Sequence, residues 1–145
     1  MTFRRKESTI NKASGAAPAS KPVEGQSALA RAVALHLEGK LKEALKEVND
    51  ALDSGQNDPE LFSARGHLHF ELEQFEEAAR SYQKLLETNA KHPSAAFNLA
   101  VCYEKMGRWQ EAADNFERAL NLPGANAQTR LGLGVAYLHT ERAQQ

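Results

Sequence analysis

The chain has 145 residues, 41% hydrophobic and 26% charged, which is the amount and kind of sequence that forms one ordinary soluble domain. The formal net charge of -1 provides no global positive field, so nucleic acid is not expected as a partner. A single cysteine, Cys102, excludes an intramolecular disulfide and a multi-thiolate metal site. The longest nearly apolar run, 28–37, is too short to span a membrane.

Residues 1–24 differ from the rest of the chain. They hold five basic and two acidic side chains and few large apolar ones (Phe3, Ile10 and Val23). Such a segment buries too little surface to offset the entropy of ordering it, so we predict a basic, disordered tail. It lacks the apolar stretch of a secretory signal, which favours a cytoplasmic location. Residues 25–145 contain the predicted domain.

From residue 25 onward the spacing of apolar residues is helical, and a period of 34 residues fits without a gap. Each column of the repeat keeps one type of side chain. The small columns are Ala32, Gly66, Ala100 and Gly134, and Ala44, Ala78 and Ala112; the large columns are Leu41, Phe75 and Trp109, and Val48, Tyr82 and Phe116. This pattern predicts pairs of helices that cross closely at small residues, joined by short turns near Gly39, Glu73 and Gly107.

These columns resemble the tetratricopeptide repeat family. The best instance has Ala96, Leu99, Ala100, Tyr103, Ala112 and Phe116 at the family's spacing. The resemblance implies an all-α fold, a right-handed α-solenoid of antiparallel helix pairs with three full repeats (25–58, 59–92, 93–126) and a partial one (127–145). The family's closing proline is missing. Instead Pro59 and Pro93 come three residues later, where each is predicted to occupy the first turn of a helix.

Repeat scaffolds perform no chemistry by themselves, so the function is expected on the surface, where the first helices of the pairs line the concave side. The first-helix residues that face away from the second helices predict a peptide-binding groove. Its residues are Leu29, Val33, His36, His67, Phe70, Phe97, Asn98, Val101, Leu131, Val135 and Leu138. Their apolar character suits an amphipathic helix or an extended peptide. The alternative is that several of them pack between first helices as ordinary core.

Chaperone-binding members of the family hold a peptide carboxylate with Lys and Asn in one first helix, Asn in the next, and Lys and Arg in the third. In this chain the first two columns carry Ser63 and His67, and the last two carry Gln128 and Gly132. Only Asn98 matches. An alignment that begins one repeat earlier does not match the clamp either. A chaperone carboxylate clamp is therefore not supported, and Asn98 is interpreted as a polar contact to a ligand backbone.

No catalytic, cofactor or metal site is predicted. His67 and His69 are two residues apart on a helix and diverge, unlike metal-binding pairs at a spacing of four, and the other histidines are scattered along the sequence. Cys102 is interpreted as a small buried side chain, because its counterparts in the other repeats are Ala34, Leu68 and Ala136. We therefore expect no enzyme activity from these residues.

The partial repeat stops where a second helix is expected to begin, after Thr140. Its first helix carries an apolar set that lacks a predicted partner: Leu131, Leu133, Val135, Tyr137 and Leu138. Two explanations for this apolar set stay open: the chain is part of a longer array of repeats, or it self-associates through this face.

The favoured function is a non-catalytic adaptor for a protein or peptide of unknown identity. The alternative is a regulatory or recruiting amino-terminal segment of a larger multidomain enzyme or a secretion or pilus assembly factor.

Overall fold

The computed structural model describes residues 25–145, which form seven α-helices and no strand. The helices are α1 (Ala28–Leu37), α2 (Leu41–Asp53), α3 (Pro59–Glu71), α4 (Phe75–Thr88), α5 (Pro93–Lys105), α6 (Trp109–Leu120) and α7 (Ala127–Gln144). The predicted all-α solenoid class is confirmed. The predicted disordered tail, 1–24, lies outside the described residues.

The first helix of each pair begins at a side-chain cap. A side-chain atom of the residue before the helix accepts a hydrogen bond from a backbone N–H of the first turn, as seen at Ser27, Asp58, His92 and Asn126. Pro59 and Pro93 follow two of these caps as the first helical residues, as predicted, since this position needs no N–H donor. These capping side chains therefore mark where α1, α3, α5 and α7 start.

The turns inside the helix pairs share one geometry. Gly39, Glu73 and Gly107 all have positive φ, at 77°, 58° and 71°. The N–H of each turn residue and of the residue after it bonds back to carbonyls of the preceding helix, as for Gly39 to His36 and Lys40 to Leu35. The predicted turn positions are confirmed, although Glu73 adopts a backbone conformation that favours glycine.

Each helix packs against the next along the chain, and α1 also contacts α3, as α5 contacts α7. Ala44, Ala78 and Ala112 are fully buried at the crossings. A Cβ atom on Gly66 would lie 2.8 Å from the Tyr82 ring, so the small residues are needed for the close approach of the helices. We call the surface lined by α1, α3, α5 and α7 the concave face.

The last helix differs from the prediction in two ways. The small column predicts close packing at Gly134, but a Cβ atom there would meet nothing within 4 Å, whereas one on Gly132 would lie 2.5 Å from the Phe116 ring. In addition, α7 runs unbroken to Gln144, past Thr140, after which a second helix is expected to begin. The residues after Glu141 are helix formers without a glycine, and no described second helix packs against Gly134.

None of the seven helices described by the structure is long and apolar enough to cross a membrane.

Candidate functional site

The predicted groove residues all lie on the helices of the concave face, and none of them is fully buried. Among the apolar groove residues, exposure is greatest at the two ends: Val33 in α1 is 50% exposed, and Leu131 and Leu138 in α7 are 69% and 56% exposed. Leu29, His36 and Val135 are half-buried, while His67 is exposed. Both ends of the concave face thus present apolar side chains to solvent.

The middle of the concave face is more closely packed. Phe70, Phe97 and Val101 are partly buried against the main hydrophobic core, which consists of the buried side chains of α4, α5 and α6 together with Ala136 of α7. The Phe97 ring meets Phe116 of α6 edge to face, with centroids 5.9 Å apart, so it fills space between helices as well as facing outward. These side chains therefore contribute both to core packing and to the concave face.

Asn98 lies near the buried Tyr82. Burial is the main cause that raises the pKa of Tyr82 above its ordinary value, and the polar side chain of Asn98 partly offsets this effect. Asn98 also lines a cleft of about 250 Å³ between the starts of α5 and α7, beside Ser94, Phe97 and Asn126. Polar side chains therefore line this part of the predicted groove region.

Two groove histidines meet at a carboxylate that sequence reasoning missed. His36 Nε2 lies 2.7 Å from Glu71 Oε1, and His67 Nε2 lies 2.6 Å from the same oxygen. The interpretation of the histidines as scattered is wrong at this point, because stacking of α3 on α1 brings together residues that are far apart in sequence. The spacing of four residues between His67 and Glu71 places them on one face of a helix, and this spacing could have indicated their contact.

Cys102 is fully buried in α5, as predicted. Burial raises the pKa of its thiol to about 12, so the sulfur stays protonated near neutral pH. A protonated, enclosed thiol is a poor nucleophile. Its contribution is to packing.

The face of α7 is only partly uncovered. Leu131, Tyr137 and Leu138 are exposed, but Leu133 packs against the main core, so its assignment to the unpartnered set was wrong. The reason is that α7 packs against α5 and α6, and Leu133 is partly buried against the core that these helices share.

The model of the tetratricopeptide repeat family matches residues 63–126 and 103–145. Anaphase-promoting complex subunit 3 of Schizosaccharomyces pombe is 28% identical over 95 residues, which cover 66% of this chain and 14% of that protein's length.

Solved structures share the fold. A structure of MamA has a TM-score of 0.73 at 17% identity, covering 79% of this chain and 67% of the other. YrrB, described as a TPR protein with an unusual peptide-binding site, has a TM-score of 0.72 at 24% identity, covering 79% and 59%. The second TPR domain of human RPAP3, in complex with an HSP70 peptide, gives 0.70 at 20% identity, covering 77% and 92%. With its helix pairs, its repeat columns and the family match over more than half its length, this chain belongs to the tetratricopeptide repeat family.

Proposed function

We propose that the protein is a non-catalytic interaction scaffold whose concave face binds a peptide or an amphipathic helix of another protein. The observation that carries this proposal is the placement of the exposed large hydrophobic side chains. Among the described residues they are Val33, Leu37, Leu131, Tyr137 and Leu138; all five lie on α1 or α7, and Val33, Leu131 and Leu138 belong to the predicted groove. Exposed apolar side chains gathered on one surface are typical of interaction sites.

The arrangement suits a ligand with apolar anchors at its two ends. Val33 would receive one anchor, and Leu131 and Leu138 would receive another. Between them, the polar cleft beside Ser94 and Asn98 offers hydrogen bonds to a peptide backbone.

Peptide binding by related folds supports the proposal. The described peptide-binding site of YrrB and the HSP70 peptide held by RPAP3 show that proteins of this fold bind peptides. The chaperone mode itself is not proposed for this chain, because Ser63 and His67 occupy the columns in which that mode needs Lys and Asn.

The test is a selection of peptides from a random library displayed on phage against the full 145-residue chain. Affinities of selected peptides are then measured by fluorescence polarisation. We expect the triple variant Val33→Ser, Leu131→Ser, Leu138→Ser to bind at least tenfold more weakly, because it removes the exposed anchors and leaves the half-buried Phe70 and Phe97 in place.

The matched control is Leu37→Ser. Leu37 is 81% exposed but is not one of the predicted groove residues, so this variant removes a similar apolar side chain from outside the groove and should keep the affinity. Circular dichroism checks that helix content is unchanged in both variants. Full affinity in the triple variant, or failure to select any peptide, would contradict the groove assignment.

A second candidate rests on the exposed face of α7. Tyr137 and Leu138 remain uncovered within the described residues, which favours contact with a further repeat or with a second copy of the chain. The fission yeast relative, a named subunit of a complex, matches only over a short part of its own length, which is compatible with a recruiting segment of a larger protein. Light scattering at several protein concentrations tests self-association, and a purely monomeric protein would rule it out.

A further inference from the structure

His36, His67 and Glu71 form a compact cluster on the concave face. Both Nε2 atoms lie within hydrogen-bonding distance of Glu71 Oε1, at 2.7 and 2.6 Å. The two imidazole rings pack edge to face with centroids 5.5 Å apart. One ligand-type atom from each of the three residues lies within 4.8 Å of the other two, and the structure shows no other group of this kind among residues 25–145.

The backbone supports this cluster from two repeats. His67 and Glu71 are one helical turn apart on α3 and therefore share a face. His36 comes from the last turn of α1, and α1 contacts α3 directly. The cluster therefore joins side chains from two well-formed helices, which restricts the ways in which the three groups can move apart.

The surroundings leave space for a small ion. The cleft between α1 and α3 is lined by His36, His67, Ala32, Val33, Ala64 and Leu68. Apart from the two imidazoles, the lining side chains are apolar, and two of them are alanines. The side chains of His36, His67 and Glu71 are 34%, 59% and 33% exposed, so an ion can reach them from solvent.

Two imidazole nitrogens and one carboxylate oxygen are a set that Zn²⁺ binds readily. Zn²⁺ takes nitrogen and oxygen ligands at about 2.0–2.2 Å in tetrahedral sites, which places the ligand atoms about 3.3 Å apart. The present distances would have to lengthen by roughly 0.6 Å, a change within reach of partly exposed side chains. Each Nε2 would give up its proton to solvent or to Nδ1, so binding releases or moves protons and involves no redox step.

We propose that His36, His67 and Glu71 form a zinc site that joins the first helices of two successive repeats. Three protein ligands leave one tetrahedral position, which water would complete. The site ties α1 to α3. It revises the sequence-based expectation that the chain binds no metal.

The proposal is tested by isothermal titration of ZnCl₂ into the full chain, prepared without a histidine tag and treated with chelator. We expect one Zn²⁺ per chain. Each of the variants His36→Asn, His67→Asn and Glu71→Gln should weaken binding at least tenfold, because each removes one ligand. Co²⁺, used as a spectroscopic probe of the same site, should give visible absorption typical of four-coordinate cobalt in the wild type and lose it in the variants.

The matched control is His69→Asn. His69 lies on the same helix two residues from His67, but its Nδ1 pairs with Gln74 Oε1 2.7 Å away, outside the cluster. This variant should bind Zn²⁺ like the wild type. Circular dichroism without metal confirms that all the variants fold, and Zn²⁺ should raise the melting temperature of the wild type and of His69→Asn only.

The proposal is overturned if the wild type binds no stoichiometric Zn²⁺. It is equally overturned if His36→Asn binds as tightly as the wild type, since the ion would then rest on α3 alone. Loss of binding in His69→Asn would assign the ion to different ligands and would also reject the cluster.

Discussion

Gly66 in α3 lies so close to Tyr82 in α4 that a Cβ atom on the glycine would sit 2.8 Å from two atoms of the tyrosine ring. Tyr82 is 2% exposed and cannot swing into solvent without leaving the core. The pair therefore sets the distance between the two helices of this repeat. Packing therefore requires glycine at position 66, whereas at Gly134 a Cβ atom would meet nothing within 4 Å.

Substitution of alanine at two glycines separates these cases. Gly66→Ala should lower the free energy of unfolding by about 1–3 kcal/mol, because the new methyl group overlaps the Tyr82 ring. Gly134→Ala should raise it by about 0.8 kcal/mol, since a Cβ atom there meets nothing within 4 Å and alanine favours the helix. Urea unfolding followed by circular dichroism measures both values. Equal effects at the two sites would show that the Gly66 contact imposes no constraint.

Glu73 occupies the turn position at which the equivalent residues are Gly39 and Gly107, and its φ is 58°. Non-glycine residues in the left-handed region are strained by roughly 1–2 kcal/mol. We therefore expect Glu73→Gly to stabilise the protein by about 0.5–1 kcal/mol, the relief being partly offset by the greater freedom of glycine in the unfolded chain. Thermal unfolding provides the measurement. Glu73→Ala, which removes the charge but keeps the strain, is the control and should show no comparable gain.

Arg65 and Ser81 form a polar contact between α3 and α4, with Nε 2.9 Å from Oγ. Burial lowers the pKa of Arg65, and Ser81 is 1% exposed. Ser81→Ala should lower the free energy of unfolding by about 1 kcal/mol, because the half-buried Arg65 side chain loses its hydrogen-bond partner. The double variant Arg65→Leu, Ser81→Ala should recover the loss, since leucine occupies the same column at Leu99. A double-mutant cycle checks this, and purely additive losses would contradict it.

Cys102 should make the free energy of unfolding depend on pH in the alkaline range. Its thiol has an ordinary pKa of 9.0 when unfolded and about 12 in the folded protein. Between these values the unfolded chain loses the proton while the folded chain keeps it, so stability is full below pH 9 and falls as pH rises, by up to about 1.4 kcal/mol per pH unit. Urea unfolding at several pH values should show the stability advantage of the wild type over Cys102→Ala shrinking above pH 9. A difference that stays constant with pH would show that the thiol is not enclosed.

The helical class, the turns at Gly39, Glu73 and Gly107 and the helix starts at Pro59 and Pro93 could be predicted from the sequence, because they depend on local signals. The 34-residue period shows which side chains share a column, and residues such as Asp58 with Pro59 mark a helix start within two positions. These preferences act between neighbours in the chain.

Contacts between repeats were decided only by the tertiary structure. His36 and Glu71 are 35 residues apart, and their meeting depends on the angle and register at which α3 stacks on α1. In the same way, Gly132 rather than Gly134 faces Phe116, because α7 packs against the preceding second helix. A repeat column shows that residues are equivalent but not which neighbouring column they touch. That choice follows from how side chains of different sizes fill the space between stacked helices.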